Sequence, residues 1–272
     1  MTIALLAFLL AALVMLLGRM QRRMIYFPRP YPEPLTLPAG AQLVEYRTAQ
    51  GGQTAYYLPP TPPSTGSPNL WLLCGGNGAL ALDWLELLSD FPDPTAAFLL
   101  LDYPGYGRCQ GSPSPAAIGE SIAQALLALA AHLHIPPTTL NDNLHALGHS
   151  LGAAAVLLAV AHRPVKRLVL ISPFTSLKEM AALLVGKPLS LTLLHDYDNR
   201  ARLRQVLARE VPVPITIIHG SHDKIVPVAM GRELAALSPR INYQEIERGD
   251  HNYILLTNRA EIRRAMLAQD TP

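Results

Sequence analysis

Hydrophobic and polar positions divide this chain into three regimes. From Thr2 through Gly18 no residue is charged, a run of 18 − 2 + 1 = 17 positions, and Arg19, Arg22 and Arg23 follow it. That length lies at the short end of what crosses a bilayer as a helix. Next comes a stretch opening at Tyr26-Phe27-Pro28, with prolines at 28, 30, 32, 34 and 38, a composition that favours an extended, stiff spacer. Beyond it the pattern becomes regular. Gln42 to Arg47 and Thr54 to Leu58 read as short strands joined by a Gln50-Gly51-Gly52 turn, and the proline- and serine-rich stretch from Pro59 to Pro68 reads as a surface loop. Compact apolar runs then alternate with helical spacing. Strands are predicted at Leu70–Leu73, Ala97–Leu101, Leu144–Leu147, Arg167–Ile171, Val213–Ile218 and Asn242–Ile246. Helices are predicted at Ala81–Leu88, Ala116–His132, Ala153–Ala161, Met230–Leu237 and Ile254–Leu267.

Purely apolar short strands separated by helices predict a mostly parallel sheet covered on both faces, an α/β fold. The segment between Phe174 and Val211 is too long for a simple connection. Its Leu177-Lys178-Glu179-Met180 and Leu189 to Leu194 stretches predict a small helical insertion over the site. The organisation expected is an anchor over residues 1–24, a spacer over 25–40, and one domain over 41–270 with a cap at about 175–210.

Composition sharpens this picture in two places. Half of the residues are hydrophobic and only 15% are charged, an excess partly concentrated in the first segment. A cleaved signal peptide places basic residues before its apolar run and small residues at its end. Here the arginines follow the run and Gly18-Arg19-Met20 makes a poor cleavage site, so an uncleaved membrane anchor is expected. The arginine flank favours a cytoplasm-facing domain. The net charge of +2, without basic clusters interleaved with aromatics, argues against nucleic acid as a partner. Cys74 and Cys109 make no disulfide framework, and neither C-x-x-C nor H-E-x-x-H occurs, so no metal is expected.

The chemistry gathers at the ends of predicted strands, where α/β sheets carry their active residues. Gly148-His149-Ser150-Leu151-Gly152 lies between a strand and a helix. A serine at the crest of such a turn, with Gly148 and Gly152 two residues to either side, is a nucleophile-elbow pattern. Serine is a weak nucleophile and needs a base, which in turn needs an orienting acid. Asp223, in Gly220-Ser221-His222-Asp223, and His251, in Gly249-Asp250-His251-Asn252, follow apolar strands in the order acid, then base. Asp198 is the runner-up acid. Asp250 is expected to shape its loop, His149 to point away from Ser150 and pack, and His132, His134 and His162 to be solvated. Oxyanion donors are expected from the Leu151 N–H, at the start of the helix after Ser150, and from the Asn77 N–H in Gly75-Gly76-Asn77-Gly78. Gly105-Tyr106-Gly107-Arg108-Cys109-Gln110-Gly111 nearly spells G-x-G-x-x-G, but the third glycine comes one residue late and Ser112-Pro113 delays the helix. No nicotinamide or flavin cofactor is therefore expected.

Together, Gly148–Gly152, Asp102-Tyr103-Pro104-Gly105-Tyr106-Gly107, His219–Pro227 and Gly249–Asn252 resemble the α/β-hydrolase fold family. More narrowly, Ile25-Tyr26-Phe27-Pro28, Ser172-Pro173-Phe174-Thr175-Ser176 and Asp198-Asn199 resemble its small membrane-anchored serine hydrolases with a minimal cap, a branch that includes depalmitoylating thioesterases. One departure is Gly75 where that branch usually has histidine. The resemblance implies an enzyme cleaving carboxylic esters or thioesters, from small-molecule or lipid acyl substrates. An amidase or peptidase using the same three residues, and a non-catalytic binding protein retaining the fold, are the alternatives.

Overall fold

A computed structural model of the protein describes residues 2–61 and 68–268. Positions 62–67 of the predicted Pro59–Pro68 loop, and residues 269–270 of the predicted domain, lie outside the described residues.

Eight strands form one sheet: β1 (Gln42–Thr48), β2 (Gly51–Leu58), β3 (Asn69–Cys74), β4 (Ala96–Leu101), β5 (Leu144–His149), β6 (Arg167–Ile171), β7 (Ile215–Gly220) and β8 (Ile241–Ile246). Their spatial order is β1-β2-β4-β3-β5-β6-β7-β8. The pairings of β1 with β2 and of β2 with β4 are antiparallel, and every other pairing is parallel. The apolar runs that predicted strands are the parallel ones. Every residue of β4, β6 and β7 is buried, as expected of strands covered on both sides.

The helices are α1 (Thr2–Ile25), α2 (Leu85–Leu88), α3 (Pro115–His132), α4 (Pro137–Asn141), α5 (Leu151–Val160), α6 (Leu177–Val185), α7 (Lys187–Ser190), α8 (Asn199–Leu207), α9 (Val228–Ala235), α10 (Ile254–Thr257) and α11 (Arg259–Leu267). Helix α3 starts where Ser114 caps it, its side chain accepting from the Ala117 N–H at 3.1 Å, with Pro115 in the first turn. The predicted helix at Ala81–Leu88 is a 3-10 turn over Ala81–Trp84 followed by α2, and α4 was not predicted. The stretch from Leu189 to Leu194, read as helical, holds only the end of α7 and then turns.

Helix α1 is 24 residues long, about 36 Å at 1.5 Å per residue. Its segment Leu5–Ile25, with mean hydropathy 1.7, is long and apolar enough to cross a membrane.

The segment after α1 is extended, yet it is a strap on the domain and not a free spacer. Tyr26 and Tyr31 are buried. The Arg29 carbonyl accepts from the Gly107 N–H at 3.0 Å, the Arg29 side chain pairs with Asp83, and the Tyr31 hydroxyl accepts from the Leu82 N–H at 3.2 Å. Prolines keep the segment extended, but its two tyrosines have a large apolar area to bury, and that area holds it down.

Candidate active site

Ser150 sits between the last residue of β5 and the first residue of α5, with φ 56° and ψ −116°. A non-glycine residue in that left-handed region is strained. The surrounding backbone enforces the turn. A Cβ on Gly148 would lie 2.2 Å from the Gly152 carbonyl oxygen, and one on Gly152 would lie 1.9 Å from the Cys74 carbonyl oxygen. Neither position admits a side chain, and the second contact presses the end of β3 against the first turn of α5. The elbow is set by these close approaches.

The structure brings the three predicted catalytic residues together. The Ser150 hydroxyl lies 3.0 Å from His251 Nε2, and His251 Nδ1 lies 2.6 Å from Asp223 Oδ2. With Nδ1 donating to the carboxylate, Nε2 is left to accept the serine proton. Ser150 and His251 are buried, and the Asp223 side chain is fully enclosed. The loops carrying acid and base cross closely. The Ser221 N–H donates to the Ile246 carbonyl at 2.9 Å and the His222 N–H to the Gly249 carbonyl at 3.1 Å.

Asp223 is held from several sides. Its Oδ1 accepts the Ile225 and Val226 N–H groups at 2.9 and 2.7 Å. Its Oδ2 lies 3.4 Å from Nε2 of His219, which also donates to the Val226 carbonyl at 3.0 Å. Burial works against charge on this carboxyl, but the hydrogen bonds from His219, His251 and the Val226 N–H hold it well below the usual carboxylate range. His219, at the end of β7, was not singled out from sequence. A histidine closing an apolar strand two residues before the acid loop was the available signal.

His149 packs, as expected: it is buried, its Nε2 donates to the His251 carbonyl at 3.1 Å, and the two rings lie 4.9 Å apart. Burial, then the neighbouring His251, lowers its pKa to about 3, so it is neutral near pH 7.

Asn77 carries more than its backbone. Its Oδ1 accepts the Phe27 N–H at 3.0 Å and the Tyr106 hydroxyl at 2.8 Å, while Nδ2 donates to the Ile25 carbonyl. The Tyr103 hydroxyl donates to the Gly75 carbonyl at 2.6 Å. Burial raises Tyr106 to about 12 and Tyr103 well above its ordinary value, so both phenols keep the proton they donate. The Asp102–Gly107 loop thus supports the Gly75–Gly78 loop from one side, and the end of α1 grips it from the other. Among the described residues, no protein group accepts from the N–H of Asn77 or of Leu151.

The remaining expectations divide. Asp198 is not an alternative acid: it caps α8, accepting from the Ala201 N–H at 2.8 Å. The Asp250 carboxylate accepts from the Asn252 N–H at 2.9 Å and shapes its loop, as expected. His132, His134 and His162 are exposed. Cys74 and Cys109 are free and buried. Among the described residues, no group of His, Cys, Asp and Glu side chains could hold a metal ion.

Comparison with known proteins agrees with this fold. A model of the alpha/beta hydrolase family matches residues 71–210. An uncharacterized protein of Mycobacterium tuberculosis is 34% identical over 239 residues, spanning 86% of this chain and 81% of its own. An uncharacterized protein of Escherichia coli K12 is 25% identical over 240 residues, spanning 85% and 80%. Among solved structures, a lidless serine hydrolase from Xanthomonas campestris superposes with a TM-score of 0.59 at 14% identity, covering 88% of this chain and 100% of that one. An esterase from Exiguobacterium antarcticum gives 0.58 at 15% identity, covering 83% and 98%. With the sheet order, the strained serine turn and the family match in agreement, the chain belongs to the alpha/beta hydrolase family.

Proposed function

We propose that the protein is a serine hydrolase that cleaves carboxylic esters or thioesters through an acyl-enzyme. Ser150 Oγ attacks the carbonyl carbon as its proton passes to His251 Nε2, and Asp223 orients the ring and stabilises the resulting imidazolium. The oxyanion of the tetrahedral intermediate is held by the N–H groups of Asn77 and Leu151, with Gly148 and Gly152 fixing the turn that presents Ser150. Collapse breaks the C–O or C–S bond, and the leaving group takes the proton from His251. Water then attacks the acyl-serine by the same route.

The observation that carries this reading is the continuous path from Ser150 Oγ through both His251 nitrogens to Asp223, at 3.0 and 2.6 Å. A binding protein that had merely kept the fold would have no need of it. The esterase from Exiguobacterium antarcticum, whose fold this chain shares, supports the choice of esters.

Within the same reading, residues 1–24 serve as a single-pass N-terminal anchor. Residues 25–40 form the strap that joins it to the hydrolase domain, and about 175–210 form the cap. Lipid or acyl esters at a membrane are then the natural substrates. The arginines after the apolar run favour a cytoplasm-facing domain.

The test is a fluorophosphonate probe with an ester and thioester chain-length series on the full chain. Labelling and turnover are expected in wild type and absent in Ser150→Ala. Folded wild type that takes no label and hydrolyses no ester would overturn the reading.

A further inference from the structure

The cap presents an unusual surface. Leu184 is 85% exposed and Leu191 is 73% exposed, and Leu183, Val185, Leu189 and Leu194 are exposed beside them in sequence. None of the nine residues of α6 is buried. From Leu183 to Leu194 the only charged side chain is Lys187. A soluble domain rarely leaves so many large apolar side chains together in water.

What covers them is indicated by what the cap touches. The C-terminal third of α1 lies against the chain that follows α7. A Cβ on Gly18 would be only 3.6 Å from Leu194 Cδ1. Gln21 accepts the Leu194 N–H at 2.7 Å and donates to the Thr192 carbonyl at 2.9 Å. The Tyr26 hydroxyl shares a 2.9 Å hydrogen bond with the Tyr197 hydroxyl, and its ring meets the His195 ring edge-on at 5.6 Å. Gly18 and Gln21 share one helical face and Tyr26 follows the last residue of α1, so these contacts dock the end of α1 side-on against the cap.

That docking sets a depth. The uncharged run of α1 ends at Gly18, and Arg19 and Arg23 are exposed immediately after it. In a spanning helix the edge of the hydrocarbon falls at such a boundary, with arginines among the headgroups. Leu194 touches α1 at that same residue. We infer that the exposed leucines of the cap insert into one leaflet of a lipid bilayer, beside the anchor and at the level of its arginine collar. Lys187 reaches back to the headgroups, as long basic side chains do at such a boundary, and anionic lipid suits it and the collar together. The cap is thus a second, monotopic contact with the membrane whose anchor is proposed above, and the inference rests on that anchor.

The experiment places an environment-sensitive NBD fluorophore on single introduced cysteines in the full chain, the native Cys74 and Cys109 being buried. The variants are Leu9→Cys in α1, Leu184→Cys and Leu191→Cys in the cap, and Asp142→Cys, which is exposed just before β5, at the end of that strand away from Ser150. Each is reconstituted in phosphatidylcholine vesicles with a minority of phosphatidylglycerol, with and without doxyl-labelled lipid. Doxyl lipid is expected to remove more than half of the emission at positions 9, 184 and 191, with a blue shift, and to leave position 142 unchanged. If position 9 is quenched while 184 and 191 behave like 142, the cap insertion is overturned and the anchor stands. If none is quenched, the anchor fails and the inference fails with it. A blue shift at 184 and 191 without doxyl quenching assigns the surface to a protein partner and also overturns it.

Discussion

Helices α5 and α6 follow neighbouring strands at the same edge of the sheet, are ten and nine residues long, and are both rich in apolar residues. Their surroundings are opposite. Eight residues of α5 are buried, and none of α6 is. Helix α5 is apolar on every face because it lies against β3 and β5 and under α3 and α8. Its run of Ala153, Ala154 and Ala155 allows that close approach. Helix α6 carries Lys178 and Glu179 in its first turn and turns Leu183, Leu184 and Val185 outward at its end. Apolar side chains therefore serve two ends in one molecule: α5 holds Ser150 in place, and α6 is suited to a medium other than water.

The largest expected effect lies at the N-terminus of α5. Ser150→Ala should lower turnover by at least about 10⁴-fold with an unchanged melting temperature, since it removes the nucleophile and leaves the packing intact. An ester assay beside a thermal melt checks both halves.

A matched pair of leucines tests the comparison directly. Leu157 on α5 is fully buried, whereas Leu184 on α6 is 85% exposed. Leu157→Ala should cost about 2–5 kcal/mol of stability, and Leu184→Ala less than about 0.5 kcal/mol. Chemical denaturation of the detergent-solubilised chain measures the two. Equal losses would mean that α6 has a protein partner within the fold.

His149 sharpens the picture of α5 as a fixed support. Its pKa is lowered from 6.5 to about 3 in the fold, so the unfolded chain binds its proton first as pH falls. Its contribution to stability is therefore complete above pH 6.5 and declines below it, by about 2 kcal/mol at about pH 5. His149→Gln should flatten that part of the stability–pH curve, and identical slopes in variant and wild type would refute the assignment.

The smallest effect concerns the latch between anchor and site. Asn77→Ala keeps the backbone N–H but frees its loop from Ile25, Phe27 and Tyr106. A fall of about tenfold in kcat with little change in KM is expected, because the lost positioning matters most when the oxyanion forms. A change confined to KM would assign Asn77 to substrate binding.

How far the sequence carried follows from these residues. The strands, the turn at Ser150 and the placing of Asp223 and His251 after strands were legible because each is local: an apolar run, a Gly-x-Ser-x-Gly turn, a polar residue where a strand stops. The bond from His149 to the His251 carbonyl was not legible, since the two residues lie 102 positions apart. A polar residue just before helical spacing, as Asp198 is, is a cap signal as well as a candidate acid. The Asn77 side chain was not legible at all, since its partners are the Ile25 carbonyl and the Phe27 N–H, about fifty residues away with no pattern linking them. The proline run correctly predicted extension. That the segment binds the domain was written only in Tyr26 and Tyr31.

The grip of Asn77 and Gln21 on α1 also bears on how the enzyme would search for substrate. A catalytic domain on a loose stalk samples many heights and tilts above a surface, and meets a given ester only in a small fraction of them. With the helix clamped at Gln21, Ile25 and Phe27, an anchored domain keeps one height and one tilt, and its remaining freedoms are to spin about the membrane normal and to drift in the plane. Encounter then becomes a two-dimensional problem, governed by how many substrate molecules lie per unit area and not per unit volume.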